Sequence, residues 1–218
     1  MSSPPLRLSK PRLRGVSHQW GFLVSIAAGA ALISAARPGR AALAASIYAA
    51  AVSALLGTST LYHRVDWRPR ARRWVRRLDR SMIYVLIAAS YTPFALLAMH
   101  GGLATAVMIV VWSGAAAGVG LQLAWPDHPK WLAVVVSLAI GWVALVTLGQ
   151  LPATIGWWAI GALALSGVLY SAGAIVYARE RPNPLPGTFG YHEVFHALVL
   201  AAAAIHYAVV AFVVLPLR

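Results

Sequence analysis

Apolar residues occupy long, uninterrupted stretches of this chain, and charged residues are confined to short segments between them. The stretches that contain no Asp, Glu, Lys or Arg run over residues 15–36, 41–63, 81–126, 131–178 and 194–217. A helix that crosses a membrane needs about 20 mostly apolar residues. The third and fourth stretches are therefore long enough for two helices each, and the other three for one.

Signals that interrupt helices lie near the middle of both longer stretches, at His100-Gly101-Gly102 and at Gly149-Gln150-Leu151-Pro152. The pattern therefore predicts an all-α fold, an integral membrane bundle of seven transmembrane helices. The predicted spans cover residues 18–36, 41–63, 79–99, 103–124, 131–149, 154–177 and 193–215.

The composition agrees with a membrane protein and excludes other classes. The chain is 60% hydrophobic and 11% charged, whereas soluble domains carry about 25% charged residues. The net charge of +13 could suggest nucleic acid, but too little polar surface remains for a soluble nucleic-acid-binding fold, so no such partner is expected. The absence of cysteine excludes disulfides, thiol nucleophiles and Cys-ligated metals.

The positions of the basic residues predict the orientation. Of the 18 Lys and Arg residues, only Arg37, Arg40 and Arg218 fall on the side opposite the N-terminus. Because basic loops stay in the cytoplasm, we expect a cytoplasmic N-terminus and an outside C-terminus, in a multi-pass protein of the cell (plasma or inner) membrane. Residues 1–16 are predicted to be a basic disordered tail, and 17–218 a single transmembrane domain.

Ionisable side chains are costly at membrane depth and are therefore functional candidates. His63 ends the second predicted span, Asp79 begins the third, and His192 and His196 begin the seventh. With the predicted topology, all of them lie at the cytoplasmic face. Three regions that are far apart in sequence are thus expected to meet at one end of the bundle.

This set of residues predicts a zinc site. His192 and His196 are four residues apart and share one helix face, and His63 supplies a third nitrogen. Three protein ligands and one open position are typical of catalytic zinc, which activates water. Asp79 is expected to hold that water and take its proton. Ser59, one turn before His63, could donate a hydrogen bond to a developing oxyanion.

Residues 192–196 read HEVFH, which also fits the H-E-x-x-H pattern of zinc proteases with Glu193 as base. No Asp or Glu follows Glu193, so a downstream carboxylate ligand is impossible. His206 lies about 15 Å further along a helix, too far to bind the same ion. The pattern therefore favours His63 as the third ligand and makes an intramembrane protease a lesser alternative.

Several segments resemble the hemolysin III family, within the progestin and adipoQ receptor (PAQR) group. They are STLYH (59–63), LDRSMIYVLIAASYTPF (78–94), GW (141–142), GVLYSAGAIVYA (167–178) and HEVFHALVLAAAAIHY (192–207). The resemblance implies seven helices, a cytoplasmic N-terminus and zinc held by His63, His192 and His196. It also implies that Asp79 holds the zinc-bound water and that Ser59 lies beside it.

The chain departs from the family pattern in two places. Arg80 stands where relatives usually have His, and Arg14 and Gly15 precede His18 where acidic and Asn residues are common. Neither departure removes an expected ligand.

The segment at 64–78 is rich in arginine. Its apolar residues follow one helical face, with Arg70, Arg72, Arg73, Arg76 and Arg77 between them. This pattern predicts a short amphipathic helix on the inner surface. The arginines either set the topology alone or attract an anionic lipid next to the zinc.

The function expected first is a zinc-dependent hydrolase of a lipid amide or ester, because alkaline ceramidases are related to the family. Its substrate would be a membrane lipid that enters from the bilayer between helices. The first alternative is a non-enzymatic, receptor-like or stress-responsive membrane protein with structural zinc. The second is a pore-forming cytolysin, as the family name implies.

Overall fold

The computed structural model describes residues 11–217, which are predominantly helical. Within that part of the chain there are no strands, only an isolated β-bridge between Leu185 and Phe189. The helices are α1 (Val16–Ala35), α2 (Arg40–Arg64), α3 (Pro69–Leu97), α4 (Gly101–Ala124), α5 (Lys130–Gly141), α6 (Leu151–Ile155), α7 (Trp157–Arg179) and α8 (Tyr191–Val209). A 3₁₀ segment, Trp142–Gly149, prolongs α5, and a π-helical turn, Val210–Val214, ends α8.

The predicted all-helical, seven-span fold is confirmed, because residues 11–217 contain seven helical segments that are long and apolar enough to cross a membrane. Most bounds agree with the sequence pattern to within a few residues. The sixth span begins at Trp157 because the short helix α6 ends at Ile155 and is followed by Gly156, whose φ of 80° favours glycine. Of the predicted tail, residues 1–10 lie outside the described part of the chain, while Arg12 and Leu13 donate backbone hydrogen bonds to Gly187 and Thr188.

The arginine-rich segment forms the first turns of α3 rather than a separate surface helix. Helix α3 begins at Pro69, where the missing N–H of proline costs no hydrogen bond, and continues without a break to Leu97. The third span therefore starts ten residues before the predicted position, at 69 instead of 79. Arg72, Arg76 and Asp79 consequently lie along one rigid element.

Large apolar side chains point outward, as expected for a surface in contact with lipid. Trp20, Ile109 and Phe212 are 63%, 64% and 77% exposed. The interior of the bundle instead contains small residues, such as Ala44 and Ala88, which are fully buried. Small side chains allow helix axes to approach each other closely in membranes.

Helices α3 and α4 make such a close approach. A Cβ atom on Gly118 would lie 2.4 Å from Cδ1 of Tyr84, so only glycine fits against this ring. The Tyr84 side chain is 1% exposed. The contact fixes α4 against the middle of α3.

The fifth span packs more loosely than the others. Only 11% of the residues in its apolar 18-residue segment are buried, compared with 50% in the corresponding segment of α3. Its helix changes from α to 3₁₀ geometry after Gly141, where the regular hydrogen-bond pattern is interrupted. The Tyr91 hydroxyl of α3 donates to the Gly141 carbonyl and accepts from the Ala144 N–H at 2.8 Å. Tyr91 thus links this span to α3 at the position where the span's own backbone hydrogen-bond pattern is interrupted.

Candidate metal centre

Three histidines from two helices meet at one end of the bundle. His63 lies in the last turn of α2, and His192 and His196 lie in the first turns of α8. One nitrogen atom from each ring lies within 4.8 Å of the other two. The Nε2 atoms of His63 and His192 are 3.1 Å apart. The structure thus brings together the three residues predicted as ligands.

The donor set and its spacing fit a zinc ion. Zinc–nitrogen bonds of 2.0–2.1 Å in tetrahedral geometry place ligand nitrogens about 3.3 Å apart. The His63–His192 pair already has this spacing, and the donor nitrogen of His196 lies within 4.8 Å of both. Nδ1 of His196 is buried and has no hydrogen-bond partner among residues 11–217. Such an atom is costly unless an ion or a water molecule satisfies it.

Asp79 lies next to the histidines without joining them as a fourth ligand. Its Oδ2 is 4.0 Å from Nε2 of His63, and its side chain is 18% exposed. This separation is too long for a hydrogen bond and suits a bridging water molecule. The carboxylate is also close to the Ser59 hydroxyl. The predicted proton acceptor and hydroxyl donor therefore flank the same space.

His18 of α1 completes the cluster, although the sequence pattern did not single it out. Its Nδ1 lies 2.8 Å from Oγ of Ser59. Its ring stacks on that of His196, with centroids 3.6 Å apart and planes 9° from parallel. His18 is 3% exposed. It was detectable as another ionisable residue at the same membrane depth, but its partners are on other helices.

The carboxylate of Glu193 is engaged by two other groups. One oxygen pairs with the Arg14 guanidinium, and the other accepts the Gly190 N–H at 2.7 Å. Glu193 therefore caps α8 and ties it to the N-terminal segment. A base in a zinc protease needs a carboxylate free to take a proton from water, so this geometry does not favour the protease alternative.

The two departures from the family pattern have structural roles here. Gly15 adopts φ 78°, and a Cβ atom there would lie 2.5 Å from Cβ of His63. Glycine at this position lets the chain pass directly over a candidate ligand. Arg80 donates a hydrogen bond to the Pro126 carbonyl at 3.1 Å and so holds the loop that precedes α5.

A large cavity extends from the histidine cluster into the bundle. Its volume is about 1110 Å³. His63, Asp79 and His196 line one end, and Leu151 and Trp157, which follow the fifth span, line the other. Apolar side chains from α3, the fifth span and α7 form most of the wall between them. The cavity is therefore suited to a long apolar ligand whose polar end reaches the histidines.

The fold and the cluster together define a class: a multi-pass membrane protein whose described residues form seven membrane-spanning segments and a candidate metal centre at one end of the bundle. Comparison with known proteins narrows this class. A family profile described as Haemolysin-III related matches residues 6–207. The chain is 30% identical to Hemolysin-3 of Bacillus cereus over 204 residues, which cover 92% of this chain and 90% of that protein.

Two further relatives extend the comparison. Identity with the Hemolysin-3 homolog of Bacillus subtilis (strain 168) is 31% over 192 residues, or 87% of each chain. Identity with the human Monocyte to macrophage differentiation factor is 29% over 169 residues, which are 76% of this chain and 68% of that protein. The chain belongs to the hemolysin III family, within the PAQR group.

Proposed function

We propose that this protein is a zinc-dependent membrane hydrolase that cleaves an amide or ester bond of a lipid. The observation that carries the proposal is the convergence of three imidazole nitrogens within 4.8 Å at the polar end of a large apolar cavity. The ligands are His63, His192 and His196. The Asp79 carboxylate, 4.0 Å from His63, is the nearby acidic group that such chemistry needs.

Zinc, when bound, supplies Lewis-acid activation of water and of a carbonyl group. The residues around it perform the remaining tasks. Asp79 accepts a proton from the attacking water and later returns it to the leaving group. Ser59 donates a hydrogen bond to the oxygen on which negative charge develops. His18, 2.8 Å from Ser59, fixes the position of that hydroxyl.

The cavity supports a lipid as the substrate. A methylene-rich chain would fill the apolar part between α3, the fifth span and α7, with its carbonyl group at the histidine end. The loosely packed fifth span offers a route from the bilayer, because only 11% of the residues in its apolar 18-residue segment are buried. By analogy with ceramidases, N-acyl lipids are the first substrates to test.

The distribution of basic residues supports a cytoplasmic location for the metal centre. The N-terminal segment, the arginine-rich start of α3 and the 180–190 loop all lie at the end that holds the histidines. Under the positive-inside rule, this end faces the cytoplasm of the plasma or inner membrane and the C-terminus faces outside.

The hydrolase proposal is tested by turnover of ceramide-like and other acyl lipids by protein reconstituted with zinc. We expect Asp79→Asn to lower turnover by at least about 100-fold, as for loss of a general base, while zinc stays bound. Asp127→Asn is the matched control, because Asp127 is 78% exposed and pairs only with Arg76 among the described residues. Equal turnover by wild type and Asp79→Asn would contradict the mechanism.

A structural role for the metal is the second candidate, because the cluster joins α2 to α8 and would hold the bundle together without any reaction. A receptor-like protein of this kind would lose thermal stability on His63→Ala and show no turnover with any lipid in either form. A pore, as the name hemolysin suggests for the relatives, predicts instead that purified wild-type protein releases dye from liposomes.

A further inference from the structure

The arginines at the start of α3 fall into two groups according to their contacts. Arg76 pairs with Asp127 at 2.9 Å, Arg77 stacks on Trp74, and Arg80 binds the Pro126 carbonyl. Among residues 11–217, no ion pair or side-chain hydrogen bond engages the other four from the preceding loop and first turn. These are Arg68, Arg70, Arg72 and Arg73.

Two of these unengaged arginines line a small cavity of about 350 Å³ outside the histidine cluster. Its six lining residues are Tyr62, Trp67, Pro69, Arg72, Arg73 and Arg76. None of them is acidic. Tyr62 and Arg72 also line the large cavity, so the two spaces are neighbours.

The aromatic side of this small cavity is held in place by a hydrogen bond to α2. The indole N–H of Trp67 donates to the Leu61 carbonyl at 2.7 Å, which fixes the ring against the end of α2. The cavity also includes Pro69, the first residue of α3, so the positive end of the helix dipole adds to the charge of the guanidinium groups. Arg72 and Arg76 are four residues apart and project from one helix face.

Such a cavity selects an anion with several acceptor oxygens. Guanidinium groups bind phosphate in a bidentate fashion, and a planar aromatic wall supports their orientation. Asp127 neutralises part of the charge of Arg76, but Arg72 and Arg73 keep theirs. The cavity lies at the N-terminal end of α3, before the apolar stretch at 81–126. Lipid headgroups are expected at the ends of apolar spans.

We propose that this cavity binds the phosphate of an anionic membrane lipid headgroup, next to the opening of the large cavity. This is a defined binding site rather than a general attraction between a basic surface and a charged membrane. The inference concerns binding alone and holds whether or not the histidine cluster catalyses a reaction.

The test compares two double variants that remove the same charge from the same short segment. Arg72→Gln with Arg73→Gln empties the cavity of its free cations, and Arg68→Gln with Arg70→Gln removes two unengaged arginines outside it. The probe is dioctanoyl phosphatidic acid, titrated against purified full-length protein. Dioctanoylglycerol, which lacks the phosphate, and inorganic phosphate, which lacks the lipid, are separate arms.

We expect the cavity pair of substitutions to weaken phosphatidic acid binding by at least about tenfold, as for loss of charge-assisted hydrogen bonds. The control pair should change the dissociation constant by less than about threefold, the size of an exposed charge effect. Wild type should bind dioctanoylglycerol and inorganic phosphate much more weakly. Equal losses of phosphatidic acid affinity in the two double variants would show that the arginines act only through general surface charge, which would contradict a defined site. Equally tight binding of inorganic phosphate would contradict a lipid ligand. Melting curves of both variants should match wild type, because all four side chains are exposed.

Discussion

Gly15 controls how closely the N-terminal segment can pass over the candidate metal centre. Its backbone is left-handed, and the nearest atom to an added Cβ would be Cβ of His63 at 2.5 Å. The residue therefore has two separate requirements for glycine, a conformational one and a steric one. A second glycine, Gly39, has only the first, because its φ is 91° and nothing lies within 4 Å of the added atom.

This pair of glycines makes the contact with His63 testable. Alanine at either position strains the backbone and should lower the stability by about 1–3 kcal/mol. Only Gly15→Ala also places a Cβ atom against a candidate ligand. We therefore expect Gly15→Ala to weaken zinc binding by about 10- to 100-fold, as for other perturbed ligand supports. Gly39→Ala should leave zinc affinity unchanged while lowering the melting temperature. Equal zinc affinity in both variants would show that His63 does not depend on this contact.

Single residues at membrane depth were the most informative part of the sequence. His63, Asp79, His192 and His196 stood out because charge and imidazole are costly in lipid. The roles of His18 and Arg14 could not be predicted in the same way. Each acts through a partner on a distant helix, Ser59 or Glu193, and pairings of that kind depend on how the helices are placed.

The junction between α5 and its 3₁₀ continuation depends on one side chain from another helix. Tyr91 is the side chain that satisfies backbone groups on both sides of this junction. The sequence predicted one span over 131–149, but the change of helix type follows from a tertiary contact that no local pattern encodes.

Replacing Tyr91 tests this dependence. Tyr91→Phe keeps the ring but leaves the Ala144 N–H and the Gly141 carbonyl without the hydroxyl, which should cost about 1–3 kcal/mol. We expect a fall of several degrees in the melting temperature of detergent-solubilised protein. The control is Tyr177→Phe, since the Tyr177 hydroxyl makes no hydrogen bond within the described residues. A melting temperature equal to that of the control would contradict this role.

The start of α3 shows where element boundaries fail to follow from hydropathy. The arginine-rich segment at 64–78 suggested a surface helix separate from the third span, but helix propensity continues through the charged turns. Arginine is a good helix former, and no glycine or proline separates Pro69 from the apolar stretch. One rigid helix consequently carries both Asp79 and the arginines that line the small cavity.

For the whole molecule, composition and the lengths of the apolar stretches sufficed to predict seven spans, since a bilayer allows few alternatives. The order of helices around the bundle was not predictable from these stretches. The large cavity could not be predicted either, because its volume depends on the loose packing of the fifth span against α3 and α7. The histidines at membrane depth and the family resemblance both led to the expectation of a metal, and the meeting of α2 and α8 supplies a geometry that suits one.

Elemental analysis of purified protein that has been supplied with zinc tests most directly whether the three histidines hold a metal ion. We expect one zinc ion per chain in wild type and in His100→Ala, whose histidine is exposed and precedes α4 at the other end of the bundle. We expect little or no zinc in His63→Ala and His196→Ala, and a lower melting temperature for wild type after chelation. Wild type without metal, or variants that retain a full equivalent, would contradict a zinc site at these histidines.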